Sequence, residues 1–386
     1  MTISLWLDKQ ESKASEHYDV VIVGAGVTGA SAAYWLNKRK NLKALVLDSA
    51  QCGAGASGRN GGFLLRGIFA YYKKLVQAYG REVAQWIFQF NEETQAHLRE
   101  FITKSGNTFQ FHQSGSYLLA CSLEELQDLE ESAELMLEDG FELEYMREDP
   151  LDRGFYGAIH NKQDAGVNPY LMVRSLLDAS EMSVHENEQV FKIDCSGENP
   201  VLHTQNRLIS TSRVLLCTNA YLPMLFPEFR SLLQPVRGQI IVTRPLKENI
   251  LDKLCYANYG YEYFRQLPDG RFLLGGCREP FGSDEQDYAD LLTPNVQNAL
   301  HHYLRNRFPE LAGASIDYRW SGTMCFTADG LPLMGQIKDK PGVFYVTGCN
   351  GHGMGYSLAL SRLFVQYALD GASPGVFDAM RVSEKV

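Results

Sequence analysis

Three short stretches of this chain combine glycine with small or polar residues at spacings that suit a phosphate-bearing ligand. The first is Gly24-Ala25-Gly26-Val27-Thr28-Gly29, followed by Asp48. Gly24 permits a tight turn, Gly26 lets the backbone approach a pyrophosphate, and Gly29 lets a helix lie close on a sheet. Val27 and Thr28 complete the turn as cofactor-binding candidates, and the helix that follows offers unpaired N–H groups and a positive dipole end to phosphate. Asp48 suits a ribose 2′-hydroxyl and disfavours the 2′-phosphate of NADP. The second stretch is Ser57-Gly58-Arg59-Asn60-Gly61-Gly62. A plain NAD domain has no use for another glycine loop there, whereas extended FAD needs backbone close to it over a longer path. Arg59 and Asn60 are expected to hold this loop, with Arg59 touching the pyrophosphate or the flavin. The third stretch is Gly351-His352-Gly353-Met354, at the start of a long apolar helix. Its N–H groups suit the negative charge that builds at the pyrimidine edge of a flavin during amine oxidation. His352 has two readings, facing the flavin edge or substrate, or a loop histidine satisfied by its own neighbours.

Substrate would have to be held over the flavin. Tyr263, Arg265 and Arg278 are the candidates, with Tyr256, Tyr259 and Tyr261 nearby. Tyr263 and Arg265 alternate onto one strand face. Arg278 follows the strand end Gly275-Gly276, and an arginine pairs a carboxylate bidentately. The competing reading makes these surface or sheet-edge residues. No Ser/His/Asp relay is evident and no metal is expected: the eight cysteines form no CxxC pair and show no zinc spacing with histidine.

The elements that must position these groups follow from periodicity. Residues 18–23 and 44–47 read as buried parallel strands around a small-residue helix. Residues 64–106 carry helical patterns, 109–120 a strand, and 123–138 an acidic helix with a solvated face. Pro169 opens another helix. Residues 184–190 and 214–217 read as strands. Residues 234–242, 261–267 and 271–276 read as antiparallel strands, the last two joined by the turn Pro268-Asp269-Gly270. A helix over 294–308 and a strand over 343–346 complete the pattern. The expected fold class is α/β: an FAD-binding Rossmann-like, doubly wound domain with a second, antiparallel-sheet α+β substrate domain. The boundaries are 17–82, 167–222 and 320–386 for the FAD domain, 83–166 and 223–319 for the substrate domain, and 1–16 as an N-terminal extension.

At 386 residues the chain is long enough for two cores. Hydrophobic residues make up 45% and charged residues 21%, a globular balance, and the net charge of -10 argues against nucleic acid as a partner. No stretch approaches the roughly 20 apolar residues of a membrane span. The polar opening lacks the apolar core of a signal peptide, and scattered cysteines in apolar runs suit buried thiols, so a cytoplasmic protein is expected.

The turn Gly24–Gly29 together with Ser57–Gly62 resembles the D-amino-acid oxidase superfamily of FAD-dependent oxidoreductases. Within it, the string Ser-Gly-Arg-Asn-Gly-Gly most resembles gamma-glutamylputrescine oxidase-like enzymes, with glycine and sarcosine oxidases more distant. The likeness implies that backbone near Val190 contacts the adenine and that the Cys217-Thr218 turn lies against FAD. It also implies that the stretch 320–332, with Gly322, and the Gly-His-Gly motif at 351–353 return the chain to the cofactor. The cysteine bonded to flavin in sarcosine oxidase falls at Met324, with Cys325 one place on, so non-covalent FAD is expected. The oxygen-assisting lysine of sarcosine oxidase falls at Leu273, which leaves oxygen and other electron acceptors open. The expected activity is oxidation of a small amine or amino acid. Its alternatives are a dehydrogenase of the same fold passing electrons to a quinone or other carrier, and a flavin-binding protein without turnover.

Overall fold

The computed structural model describes residues 15–68 and 70–383. The expected extension, residues 1–16, lies almost wholly outside them. Contacts divide the chain into two units: residues up to Gly58, Tyr170–Gln234 and from Met324 form the first, and Arg59–Pro169 with Pro235–Thr323 the second. The sequence boundary after residue 82 thus differs from the contact boundary after Gly58. Residues just past Gly58 belong with the second unit's sheet, where Phe63 and Leu65 pack against Ile240, Val242, Leu254 and Leu273.

The first unit is built on a parallel sheet. Five strands lie side by side in the order Val343–Thr347, Leu208–Leu216, Ser15–Val23, Ala44–Leu47 and Ser183–His185. All four pairings are parallel. Val20, Val21, Ile22, Leu45, Val46, Leu215 and Leu216 are buried there, which is why these runs read as continuously apolar. Burying each such side chain contributes about 1.5–3 kcal/mol. The helices Val27–Asn37 and Gly353–Asp370 are joined by bonds from Trp35 Nε1 to the Leu358 carbonyl (2.8 Å) and from Ser361 Oγ to the Thr28 carbonyl (2.9 Å).

One reading here is corrected. Residues 184–190 are not a single strand: Ser183–His185 ends, and Val190–Asp194 begins a separate hairpin strand. Asn187 adopts φ 57° between them, a left-handed conformation that breaks extended pairing.

The second unit holds an eight-stranded sheet in the order Ile316–Phe326, Gln234–Thr243, Phe272–Gly276, Glu262–Gln266, Leu254–Ala257, Ser116–Leu119, Ala158–Asn161, Glu144–Met146. From Gln234–Thr243 onward the pairings are antiparallel, apart from Leu254–Ala257 running parallel to Ser116–Leu119. The helix Pro294–Arg307 contributes Val296, Leu300 and Leu304 to a core with Phe264, Phe272 and Leu274 on one face. The opposite face carries Phe63, Leu273 and the tyrosines 256 and 263.

Two further readings change. The strand expected over 109–120 shortens to Ser116–Leu119, because Gln110 (φ 56°) and Gly115 (φ 74°) turn the chain. The acidic helix Leu123–Glu138 is not wholly solvated: Glu125 is buried and accepts from Tyr71 Oη (2.5 Å) and from the Cys121 and Tyr259 N–H groups (2.7 and 2.6 Å). The signal was present as Ser122 three residues before Glu125: Ser122 Oγ accepts the Glu125 N–H (3.1 Å), while the Glu125 carboxylate reaches one residue further back, to the Cys121 N–H. Among the described residues no helix is long and apolar enough to cross a membrane.

Candidate functional site

Register brings the first unit's motifs together. His185, Leu47, Val23, Leu216 and Tyr345 form one row across the parallel sheet. The turns that follow therefore open at the carboxyl ends of neighbouring strands, where open α/β sheets bind ligands. The Gly24 N–H donates to Leu47 O (2.8 Å), the Cys217 N–H to Val23 O (2.8 Å) and the Asp48 N–H to His185 O (3.0 Å).

Gly24 has φ 101°, and a Cβ on it would lie 2.5 Å from the Cys217 carbonyl oxygen. A Cβ on Gly29 would lie 1.8 Å from Gly24 O, so this glycine is required by the helix–strand approach. Gly26 caps the helix, and a Cβ there would meet Ser57 Oγ at 2.9 Å. Ser57 Oγ accepts the Val27 N–H (2.8 Å). The Thr28 and Gly29 N–H groups have no acceptor inside the helix. Asp48 accepts the Ala25 N–H (2.7 Å) on one oxygen and the Ala50 N–H (2.9 Å) on the other. Burial raises its pKa, against those two donors.

The Cys217-Thr218 turn runs beside Gly24. Thr218 Oγ1 is buried with no hydrogen-bond partner in the protein. An orphaned hydroxyl beside bare glycine backbone and an open helix end fits a polar, phosphate-bearing cofactor such as FAD. Val190 is buried at the start of its strand.

The final glycine turn is locked from within its own unit. Asn350 (φ 51°) accepts the Thr327 N–H on Oδ1 (2.9 Å) and donates its own N–H to Cys325 O (3.0 Å). Gly351 follows at φ 82°, and the place of its missing Cβ is 3.4 Å from Met324 Sδ. His352 caps the helix Gly353–Asp370 with no side-chain cap bond. The N–H groups of Gly353, Met354 and Gly355 thus have no acceptor inside the helix. His352 Nδ1 lies 3.1 Å from Asn350 O; a carbonyl only accepts, so Nδ1 is the donor of that bond.

In the second unit the sequence candidates part company. Arg59 Nη1 bonds Asp290 (2.5 Å) and Ser321 O (3.0 Å), while Trp320 Nε1 donates to Arg59 O (2.7 Å). Gly322 stands where a Cβ would be 3.1 Å from Arg59 Cβ. Asn60 Oδ1 accepts the Gly62 N–H (2.7 Å). Arg265 shares a strand with Tyr263 but is buried, and its Nη1 donates to main-chain carbonyls of residues 61, 62 and 167.

Tyr263 pairs directly with Tyr256 across the sheet, the rings 5.8 Å apart and nearly parallel. Phe63 meets both edge-on. A Cβ on Gly275 would lie 2.3–2.5 Å from ring and hydroxyl atoms of Tyr263, so that glycine gives the ring its bed. Burial pushes Tyr263 up to about 12 and raises Tyr256 also, with the Arg278 cation pulling both the other way. Arg278 is partly exposed and lies 5.2 Å from the Tyr261 ring. The sheet thus brings Tyr256 and Tyr263 together, leaves Arg278 past the strand end against Tyr261, and withdraws Arg265. The sequence reading missed Asn350, Asp290 and Trp320, which fix the motif residues; an Asn-Gly dipeptide was the only local signal for the first.

The family model for FAD dependent oxidoreductases (DAO) matches residues 19–367. Gamma-glutamylputrescine oxidoreductase of Escherichia coli (strain K12) is 28% identical, covering 90% of this chain and 83% of its own. Glycine oxidase of Bacillus subtilis (strain 168) is 23% identical, covering 86% and 88%. Among solved structures, glycine oxidase from Geobacillus kaustophilus matches with a TM-score of 0.80 at 21% identity, covering 95% of this chain and 99% of that one. L-proline dehydrogenase from P. horikoshii matches at 0.79 and 18%, covering 96% and 99%. These structural likenesses establish the fold.

Proposed function

The chain belongs to the FAD-dependent oxidoreductase family, and on that premise we propose that this flavoenzyme oxidises a small amine or amino acid at its C–N bond to an imine, which water then hydrolyses. The observation that carries the reading is the stacking of Tyr256 on Tyr263 across the sheet, with the Arg278 cation past the strand end acting on both. Stacked aromatic rings attract an ammonium group through their faces, and a partly exposed arginine pairs a carboxylate. The names of the relatives, gamma-glutamylputrescine oxidoreductase and glycine oxidase, point to the same substrate class.

When bound, FAD supplies the hydride acceptor. Gly24 to Gly29, Asp48 and Thr218 would hold its dinucleotide portion. We assign the open N–H groups of Gly353 and Met354 to its ring, where a helix N-terminus stabilises negative charge. Non-covalent binding is supported by Cys325: burial pushes its thiol up to about 11, so the thiolate needed for attachment is scarce. We place His352, the N-cap of that helix, toward the substrate or the ring edge.

Anaerobic mixing of the FAD-bound protein with a panel of primary and secondary amines and amino acids tests the activity. Bleaching of the flavin absorbance is expected, and Arg278→Met should raise KM for carboxylate-bearing substrates about a hundredfold with less change in kcat. A flavin that stays oxidised across the whole panel overturns the reading. The electron acceptor has a second reading, a carrier other than oxygen, because Leu273 is itself apolar and its cross-strand neighbour Arg265 is committed to main-chain carbonyls. Reoxidation by air, timed against reoxidation by a quinone, separates the two.

A further inference from the structure

Arg265 is 5% exposed. Its Nη1 donates to Gly62 O at 2.8 Å and to Gly61 O and Val167 O at 3.3 Å. Burial alone lowers its pKa, to about 10, and no acidic side chain acts on it. The guanidinium fills the space beside Gly166, where a Cβ would lie 2.6 Å from Nη2 and 2.7 Å from both Cζ and Nη1. A Cβ on Gly62 would likewise stand 3.1 Å from Nη1 and 2.2 Å from Val167 O. A buried cation that meets only carbonyls and the Phe63 ring is costly to keep. Its location gives the reason: Gly61 and Gly62 end the second glycine stretch, and Val167 lies next to the chain's return to the first unit at Tyr170.

We propose that Arg265 is a positioning residue for the cofactor loop, its guanidinium fixing Gly61 and Gly62 against Val167 so that residues 57–62 are shaped before FAD arrives. The proposal rests on the reading of 57–62 as a cofactor loop. It gives Arg265 a role distinct from binding a substrate carboxylate, since its Nη1 is turned inward to three main-chain carbonyls and its Nε is buried without a partner. It also explains Gly166, which is glycine because the guanidinium occupies the place of a side chain.

The test is the FAD dissociation constant of the full-length chain, read by flavin fluorescence, alongside thermal stability. Arg265→Met should weaken FAD about tenfold, the loss expected when a charge-assisted hydrogen-bond set disappears. Arg265→Lys keeps a shorter cation and should restore part of the affinity. Gly166→Ala should weaken FAD in the wild-type background and much less when added to Arg265→Met, because the added methyl then finds room. If Arg265→Met fails to fold, Arg265→Lys decides on the same readout. Variants that melt earlier yet bind FAD as tightly as wild type make Arg265 a purely structural residue and overturn the proposal. Gly58→Ala separates the two levels: a Cβ there would lie 2.3 Å from Gly53 O. FAD affinity unchanged by Gly58→Ala sinks the loop assignment and the proposal with it; affinity lost there but kept in Arg265→Met sinks the proposal alone.

Discussion

The two N-terminal glycine stretches look interchangeable on paper, but the molecule treats them differently. Around Gly24–Gly29, polar groups are left open: Thr218 Oγ1 is buried without a partner, and Thr28 and Gly29 hold first-turn N–H groups. Along residues 59–62, the unit's own sheet engages the groups instead. Arg59 is gripped by Asp290, Ser321 and Trp320, and the carbonyls of Gly61 and Gly62 turn to Arg265. Glycine content therefore marks close approach of backbone to something, and only the partners say whether that is a ligand or the protein itself.

The contrast can be broken experimentally. The largest effect is expected from Gly29→Ala, whose methyl collides with the Gly24 carbonyl: protein purified without flavin and destabilised by about 3 kcal/mol, read by flavin content and denaturant midpoint. Asp48→Ala removes the acceptor we assign to the ribose and leaves the Ala25 and Ala50 N–H groups unpaired, so FAD should bind about a hundredfold more weakly by fluorescence titration. If Asp48→Ala binds FAD normally, the first turn is not the open one.

Asp164 tests the packing beneath the second stretch. It accepts the Arg66 N–H (2.8 Å) and Ser116 Oγ (2.6 Å), and burial raises its pKa to about 6. The folded state thus holds this proton more tightly than the unfolded chain. Its stabilising contribution is full below the ordinary carboxylate pKa of about 3.9 and is lost as pH rises through about 6. Asp164→Asn should flatten stability against pH across that window, measured by urea midpoints at each end. Asp290→Asn breaks a half-exposed ion pair and should change FAD affinity by no more than about fivefold. A loss as large as that of Asp48→Ala would erase the distinction between the stretches. The smallest effect is expected from Cys325→Ser: acid precipitation should release all flavin from it as from wild type, and flavin retained only by wild type would reveal a covalent bond.

Much of this was legible beforehand. The strand–glycine–helix–strand–acid run was readable because each step is local: β-branched residues bury on both faces, and glycines appear where backbone must touch backbone. The hairpin at Pro268-Asp269-Gly270 was readable for the same reason and pairs Glu262–Gln266 with Phe272–Gly276. Arg265 was not. Period-two alternation put it on the face of Tyr263, but whether a guanidinium meets solvent or carbonyls depends on residues 61, 62 and 167, distant in sequence.

By itself, then, the sequence determined most of the elements, the fold class, and the glycine turns and acid that suit a dinucleotide, because propensity and turn chemistry act over a few neighbours. Which arginines face outward, which glycine bends around a ligand, and which asparagine locks the last turn were decided by the tertiary structure. The arginine and glycine outcomes rest on hydrogen bonds and steric exclusions between segments about a hundred or more residues apart, and the asparagine's on bonds to Thr327 and Cys325, still beyond the reach of turn chemistry.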